Sequence, residues 1–377
     1  MFKILYIQVI MLLVLSSNNT KGAITLDFYG ENITIKTKPV EVLQNLNLSE
    51  IDLTNLYNDE FIKDIIDELD EYSYKYQLDD ISYLQLAKKT ANAFYLNKIY
   101  QKLLLYNLLK KKGYDVIIGY NHNDISIYGY SCINFYNINL VQYNNKTYYD
   151  LYFEKNKPLV KEKLLHEESS KSRCFVLNTN YPPKLNKLKA KYRLHMEYEG
   201  IAYFFNGYYN KSLALYYKDL PDIEFGEVYI NYGLSETSSE TLIKQLKKAV
   251  YGMSNNKALD FLLSFTQQAF PYKSDLDYIG NEKFSFPEEL FLNPFADCED
   301  KSFMLAVLAK EILGLKSLAV LYLSQNHLNV AINTNTKGNN YNFMYLNQKY
   351  LICETTRIGL KPGENFFDLK KAYLLEW

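Results

Sequence analysis

Two hydrophobic periods alternate along the chain, and the switches between them mark its elements. Residues 24–35, ITLDFYGENITI, alternate apolar and polar on either side of Gly-Glu-Asn, the pattern of a β-hairpin. Phe61, Ile65, Ile66, Leu69 and Tyr72 then recur at the spacing of an amphipathic helical stripe. A further helix is predicted from about Asn97 to Lys110-Lys111-Lys112-Gly113, because cations in a last turn complement the helix dipole and glycine supplies the left-handed cap. Strand-like runs follow at 116–118, 125–130, 137–142 and 146–153.

The charged stretch 158–172, with its Glu-Glu-Ser-Ser-Lys-Ser run, has the composition of a linker. Beyond it, residues 173–234 are rich in Tyr and Phe, and short alternations at 202–207, 212–217 and 227–232 predict a small antiparallel β unit. Helical spacing returns from Ser235, at 241–251 and 258–269, and the second of these helices ends at Phe270-Pro271-Tyr272. The expected organisation is an α+β unit over 23–157, a linker over 158–172, a small β-rich domain over 173–234 and a last α+β domain over 235–377.

Candidate chemistry concentrates in that last domain. The run NPFADCEDKSFMLAVLAKEILG opens at Asn293, with Asp297 as N-cap, Asp300 three residues later and a nearly continuous apolar stretch up to Gly314. A buried helix should therefore start at Cys298. First-turn N–H groups favour a thiolate there, but Glu299 and Asp300 oppose it, so a positive partner would help. Residues 318–323, LAVLYL, read as a strand, and a Ser-Gln-Asn turn leads into His327-Leu-Asn-Val-Ala-Ile-Asn. Alternation puts His327, Asn329 and Ala331 on the side away from Leu328, Val330 and Ile332. A polar turn at 337–340 leads to a strand at 349–353, and opposed residue numbers adding to about 678–681 bring His327 near Glu354. A thiol, an imidazole and a carboxylate supply a nucleophile, its base and the base's orienter. Equally, Cys298 and Cys353 read as small buried residues, His327 as a satisfied strand-edge histidine and Glu354 as a solvated acid.

Composition narrows the classes. Of 377 residues, 48% are hydrophobic and 23% charged, values of a globular chain that exclude wholesale disorder or a collagen-like repeat. Lys and Arg total 42 against 43 Asp and Glu, so the field a nucleic-acid binder needs is missing. The 37 Tyr and 21 Phe beside one Trp suit a stacking surface or an AT-rich genome, and their spread over all regions fits the second better. The cysteines are Cys132, Cys174, Cys298 and Cys353, and the histidines His122, His166, His195 and His327. No zinc-type spacing joins them, so no metal or cofactor is expected. A site from Cys298, His327 and Cys353 is disfavoured because Cys353 and Glu354 alternate to opposite sides of their strand. Cys132, Cys174 and Cys353 allow at most one disulfide.

The first residues, Met-Phe-Lys, an apolar run over 4–15 and a small polar exit over 16–22, have the three parts of a signal peptide cleaved after Gly22. Twelve helical residues cover roughly 18 Å, short of a hydrocarbon core of roughly 30 Å. An exported protein, periplasmic or secreted, with no lasting membrane span is expected.

Several motifs together resemble the transglutaminase-like, papain-like cysteine-peptidase superfamily, in its exported bacterial branch. They are Phe270-Pro-Tyr272-Lys-Ser-Asp275, Phe286-Pro287-Glu288-Glu289, Asp297-Cys298-Glu299-Asp300-Lys-Ser302, His327, and Tyr350-Leu-Ile-Cys-Glu354-Thr-Thr356 with Ile358-Gly359. The resemblance covers about 120 residues from Ala258 onward. It implies an α+β fold with the nucleophile helix on an antiparallel sheet, Cys298 as nucleophile, His327 as base and Glu354 as the acidic third member, where transglutaminases usually carry Asp. The implied reaction is attack on a peptide, protein or peptidoglycan amide through a thioester, followed by transfer to water or an amine. An oxyanion donor is also needed, and the Cys298 N–H, Gln267, Gln268 and Asn293 are the candidates. The rival expectation is a catalytically silent binding or assembly module that recognises a protein or glycan.

Residues 97–150 carry a faint echo of 298–354. Asn97 stands sixteen residues before Gly113, as Cys298 does before Gly314, and Asp150 falls where Glu354 would. Either a degenerate copy or a common topology accounts for it, and a different strand order would end the idea of a copy.

Overall fold

The computed structural model describes residues 22–38, 57–121, 124–153, 162–166, 172–224, 226–334, 342–364 and 367–376. The apolar leader and the turn expected at 337–340 lie outside them. The chain is mixed α+β and forms two compact units, Met1–Leu177 and Asn178–Trp377.

The first unit opens with the hairpin β1 (Ala23–Phe28) and β2 (Glu31–Lys36), whose two-residue turn Tyr29-Gly30 has both φ angles positive. Such a turn matches the right-handed twist of its strands. Three helices follow: α1 (Asp59–Tyr76), α2 (Asp80–Phe94) and α3 (Lys98–Lys111). Helix α1 buries Phe61, Ile65, Ile66 and Leu69, the stripe that its spacing predicts. Helix α3 is capped by Asn97, whose side chain accepts from the Ile99 N–H, and it stops at Gly113, φ 91°.

The strands β3 (Val116–Tyr120), β4 (Ile125–Tyr130), β5 (Leu140–Tyr143), β6 (Lys146–Asp150) and β7 (Lys163–Leu165) form one antiparallel sheet in the order β5-β6-β4-β3-β7. Strand β7 lies inside the stretch that composition marks as a linker. Edge pairing with β3 outweighs its polarity, and the described residues beside it are engaged as well. Glu162 accepts from Ser126 and Tyr128, and His166 Nε2 lies 2.8 Å from Asp115 Oδ1. A disulfide joins Cys132 to Cys174.

The second unit repeats the plan with additions. A long hairpin, β8 (Lys189–Tyr198) with β9 (Ile201–Asn210), leads into α4 (Lys211–Lys218) and α5 (Gly226–Tyr232). The strands expected at 212–217 and 227–232 are thus helices. Asn210 caps α4 through the Leu213 N–H, and Leu213, Ala214, Tyr216 and Tyr217 are buried. An apolar run this short fits both periods, and the cap together with burial on several sides decides for the helix.

A π turn, Ser239–Ile243, precedes α6 (Lys244–Ala249), and α7 (Asn255–Ala269) follows. Helix α8 (Cys298–Leu308) continues through a second π turn, Ala309–Leu313, to Gly314, φ 66°. The closing antiparallel sheet contains β10 (Ser317–Tyr322), β11 (His327–Asn333), β12 (Asn342–Tyr345), β13 (Gln348–Cys353) and β14 (Tyr373–Glu376), in the order β12-β13-β11-β10-β14. Strand order is therefore the same in both five-stranded sheets. Among the described residues no helix is long and apolar enough to cross a membrane.

Candidate active site

Helix α8 begins where its sequence directs. Asp297 caps it by accepting from the Asp300 N–H, and every residue from Cys298 to Leu308 is buried. The helix packs on β11, and Ser302 near its start donates to Leu328 O, next to His327 at the start of that strand.

Register brings the base and the acid together, although not as predicted. Val330 lies opposite Cys353, at least two residues farther along β13 than expected. The cause is β12, which pairs with β13 through the turn Leu346-Asn347, φ 45° and 59°, and shifts the returning strand. No glycine announces that turn. Glu354 sits just past β13, and its Oε2 lies 3.0 Å from His327 Nε2. The same Nε2 lies 2.9 Å from Asn329 Oδ1, which leaves Nδ1 as the nitrogen for another proton. Phe367 packs against the imidazole, 4.7 Å between centroids. Glu354 is fully buried; its other oxygen accepts from the Thr356 N–H at 2.9 Å and from the Thr356 hydroxyl at 2.6 Å. Burial alone would raise its pKa, but His327 and Thr356 outweigh that and hold it down at about 2.

The thiol is arranged differently. Cys298 is buried, and its Sγ donates to Glu299 Oε2 at 2.9 Å rather than to His327. Burial, then Glu299 and Asp297, push the thiol far above its ordinary range, against a small lowering by the Leu328 N–H. The tendency of Glu299 to work against a thiolate, legible in the sequence, outweighs the helix end here.

Gln267 and Gln268 do not point free donors into the site. Gln267 Nε2 donates to the carbonyl oxygens of Glu354, 2.8 Å, and Leu360, 3.0 Å, while its oxygen accepts from the Gly359 N–H. Gln268 Nε2 donates to Glu197 O and Ser264 Oγ, each at 2.9 Å. Asn293 is half-buried in the loop before Ala296.

Other side chains share these surroundings. Lys301, fully buried on α8, donates to Gln267 O at 2.9 Å, and burial lowers its pKa to about 8 against the pull of Glu354. Tyr272 pairs with Ala296 in an isolated bridge. Burial raises its hydroxyl to about 12, with Cys298, Asp297, Glu299 and Glu354 adding to the rise, so the phenol shares the thiol's surroundings. Asp275, Asp297, Glu299 and Asp300 are buried acids, all held above their ordinary range mainly by burial. Carboxylate oxygens of Glu282, Asp297 and Glu299 lie within 4.8 Å of one another, a spacing at which oxygen ligands can share a hard cation. Cys353 is fully buried, with Sγ 3.8 Å from Leu351 O.

No family model matches the sequence, and no curated protein matches it significantly.

Proposed function

We propose that the chain is an exported cysteine-dependent amide hydrolase or acyltransferase using Cys298, His327 and Glu354. The observation that carries this reading is His327, at the start of the strand against which the Cys298 helix packs, paired at 3.0 Å with the buried Glu354. In the reaction, the thiol proton passes to His327 Nδ1 and sulfur bonds to the amide carbonyl carbon. The imidazolium then returns the proton to the departing amine, leaving a thioester that water or a second amine resolves. Glu354 steadies the positive imidazolium. Substrates are peptide, protein or peptidoglycan amides. The Cys132–Cys174 disulfide supports export, since such bonds persist in oxidising compartments.

A second reading has its own observation. The thiol's bond to Glu299 and its raised pKa favour a silent binding or assembly module, recognising a protein or glycan, on the same α+β scaffold. Alkylation of the full chain by iodoacetamide, read peptide by peptide across pH, separates the two. Faster labelling of Cys298 than of a free thiol model, lost in His327→Ala, is the expected result. Labelling that is absent, or unchanged in His327→Ala, favours the module.

A further inference from the structure

We propose that the two units are copies of one ancestral unit and that the first has had its site positions refilled, by Lys98, Asp124 and Tyr152, leaving it catalytically silent. The inference does not depend on whether Cys298 is active.

Correspondence begins at the helices. In each unit a hairpin precedes a fifteen-residue helix, α2 or α7, that packs on the hairpin's first strand and on the following α3 or α8. A left-handed residue, Gln77 or Gly252, stands two positions before that helix's N-cap, Asp79 or Ser254. Asn97 caps α3 and Asp297 caps α8, each followed by a left-handed glycine, Gly113 or Gly314. The interval is sixteen residues in one and seventeen in the other. The extra residue is the π turn Ala309–Leu313, since an i to i+5 turn accommodates one insertion in a helix. Matching caps with caps, the counterpart of Cys298 is Lys98, not the Asn97 that plain counting suggests.

The sheets extend the match in register. Strands β3 and β10 start three residues after their glycines. Val116 pairs with Gly129 and Ser317 with Ile332; Gly129 then pairs with Tyr149 and Ile332 with Leu351; Tyr149 pairs with Leu140 and Leu351 with Asn342. The hairpins β5–β6 and β12–β13 turn on Asn144-Asn145 and Leu346-Asn347, all four residues at positive φ. Following this register, His327 corresponds to Asp124 and Glu354 to Tyr152, two residues beyond the Asp150 that spacing suggests. One contact checks the alignment independently. Ser302, five residues after its cap, donates to Leu328 O at 3.2 Å, and Lys102, five after its own, donates to Ile125 O at 2.6 Å. Leu328 and Ile125 are themselves counterparts.

In the first unit the same space holds an ion pair. Lys102 Nζ, on a side chain only 7% exposed, lies 2.9 Å from Asp124 and over the Tyr152 ring at 5.7 Å. A cation neutralised by Asp124 leaves neither a nucleophile nor a base.

Two measurements on the full chain test this. In an experimental structure, the Cα atoms of Lys98, Asp124 and Tyr152 should fall on those of Cys298, His327 and Glu354 when the two sheets are superposed. A slip of one residue or a different strand order overturns the proposal. In a Cys298→Ala background, K98C combined with D124H should react with iodoacetamide roughly tenfold faster at pH 7 than K98C alone, with a pH profile that follows an imidazole. Equal rates in two folded variants overturn the assigned positions; where D124H prevents folding, the superposition decides alone.

Discussion

The crowd of buried acids around Cys298 should make the second unit most stable in mild acid, against the usual expectation of neutrality. The perturbation is a change from pH 7 to pH 5. Asp297 and Glu299, side by side and buried, keep a proton between them in the folded state that the unfolded chain gives up near its ordinary carboxylate range. Asp275 is raised to about 6 in the same way. Between pH 5 and 7 the folded state therefore binds more protons than the unfolded one, and stability falls as pH rises. One retained proton is worth about 1.4 kcal/mol per pH unit, so the shared proton and that of Asp275 together favour pH 5 by roughly 4 kcal/mol, with the raised Asp300 acting in the same direction.

Glu354 acts in the opposite sense. Its folded pKa of about 2 lies below the ordinary 4.5, so its contribution is complete above 4.5 and lost as pH falls toward 2. The maximum should lie near pH 4.5 to 5. Urea unfolding followed by hydrogen exchange on peptides of α8 reads it: at an m value of about 2 kcal/mol per molar, the midpoint should rise by about 2 M from pH 7 to pH 5. A midpoint that is flat, or highest at pH 7 to 8, refutes the reasoning. Asp275→Asn should make the slope shallower.

Two further perturbations address the site. Glu299→Gln removes a charge 2.9 Å from Sγ and should speed alkylation of Cys298 at pH 8 by about tenfold or more, given about 4 kcal/mol for charges 4 Å apart at an effective dielectric of 20; slower labelling means that Glu299 itself takes the proton. Gln267→Leu strips partners from Glu354 O, Leu360 O and Gly359 N and should cost about 2 to 4 kcal/mol in urea unfolding; a loss below about 0.5 shows that water replaces it.

The legible parts of this molecule were those with local causes. Asp297, Asp300 and Gly314 fix the ends of α8 through cap chemistry, and the strict alternation of 24–35 fixes its hairpin. His327 and Glu354 meet because alternation puts both on one face, and that survives a register error of two residues. What escaped has non-local causes. Strand β12 depends on a turn without glycine, and α4 on burial that only the folded unit supplies. The thiol's direction was hidden because Cys298 and Glu299 are neighbours in sequence, where periodicity says nothing about which side chains bond. Lys301 and Gln267 act through backbone carbonyls from distant segments, and no spacing encodes such partners.

The Cys132–Cys174 bond also says something about the order of assembly. Its second cysteine lies three residues before Leu177, the last residue of the first unit. A chain emerging N-terminus first into an oxidising space cannot close this bond until almost the whole unit has emerged. On that route closure marks completion of that unit, and a loop of 42 residues would give it about 4 kcal/mol of chain-entropy stabilisation before the second unit arrives. The first unit is then the one locked first, and Cys132 and Cys174 can be joined to each other before Cys298 and Cys353 arrive.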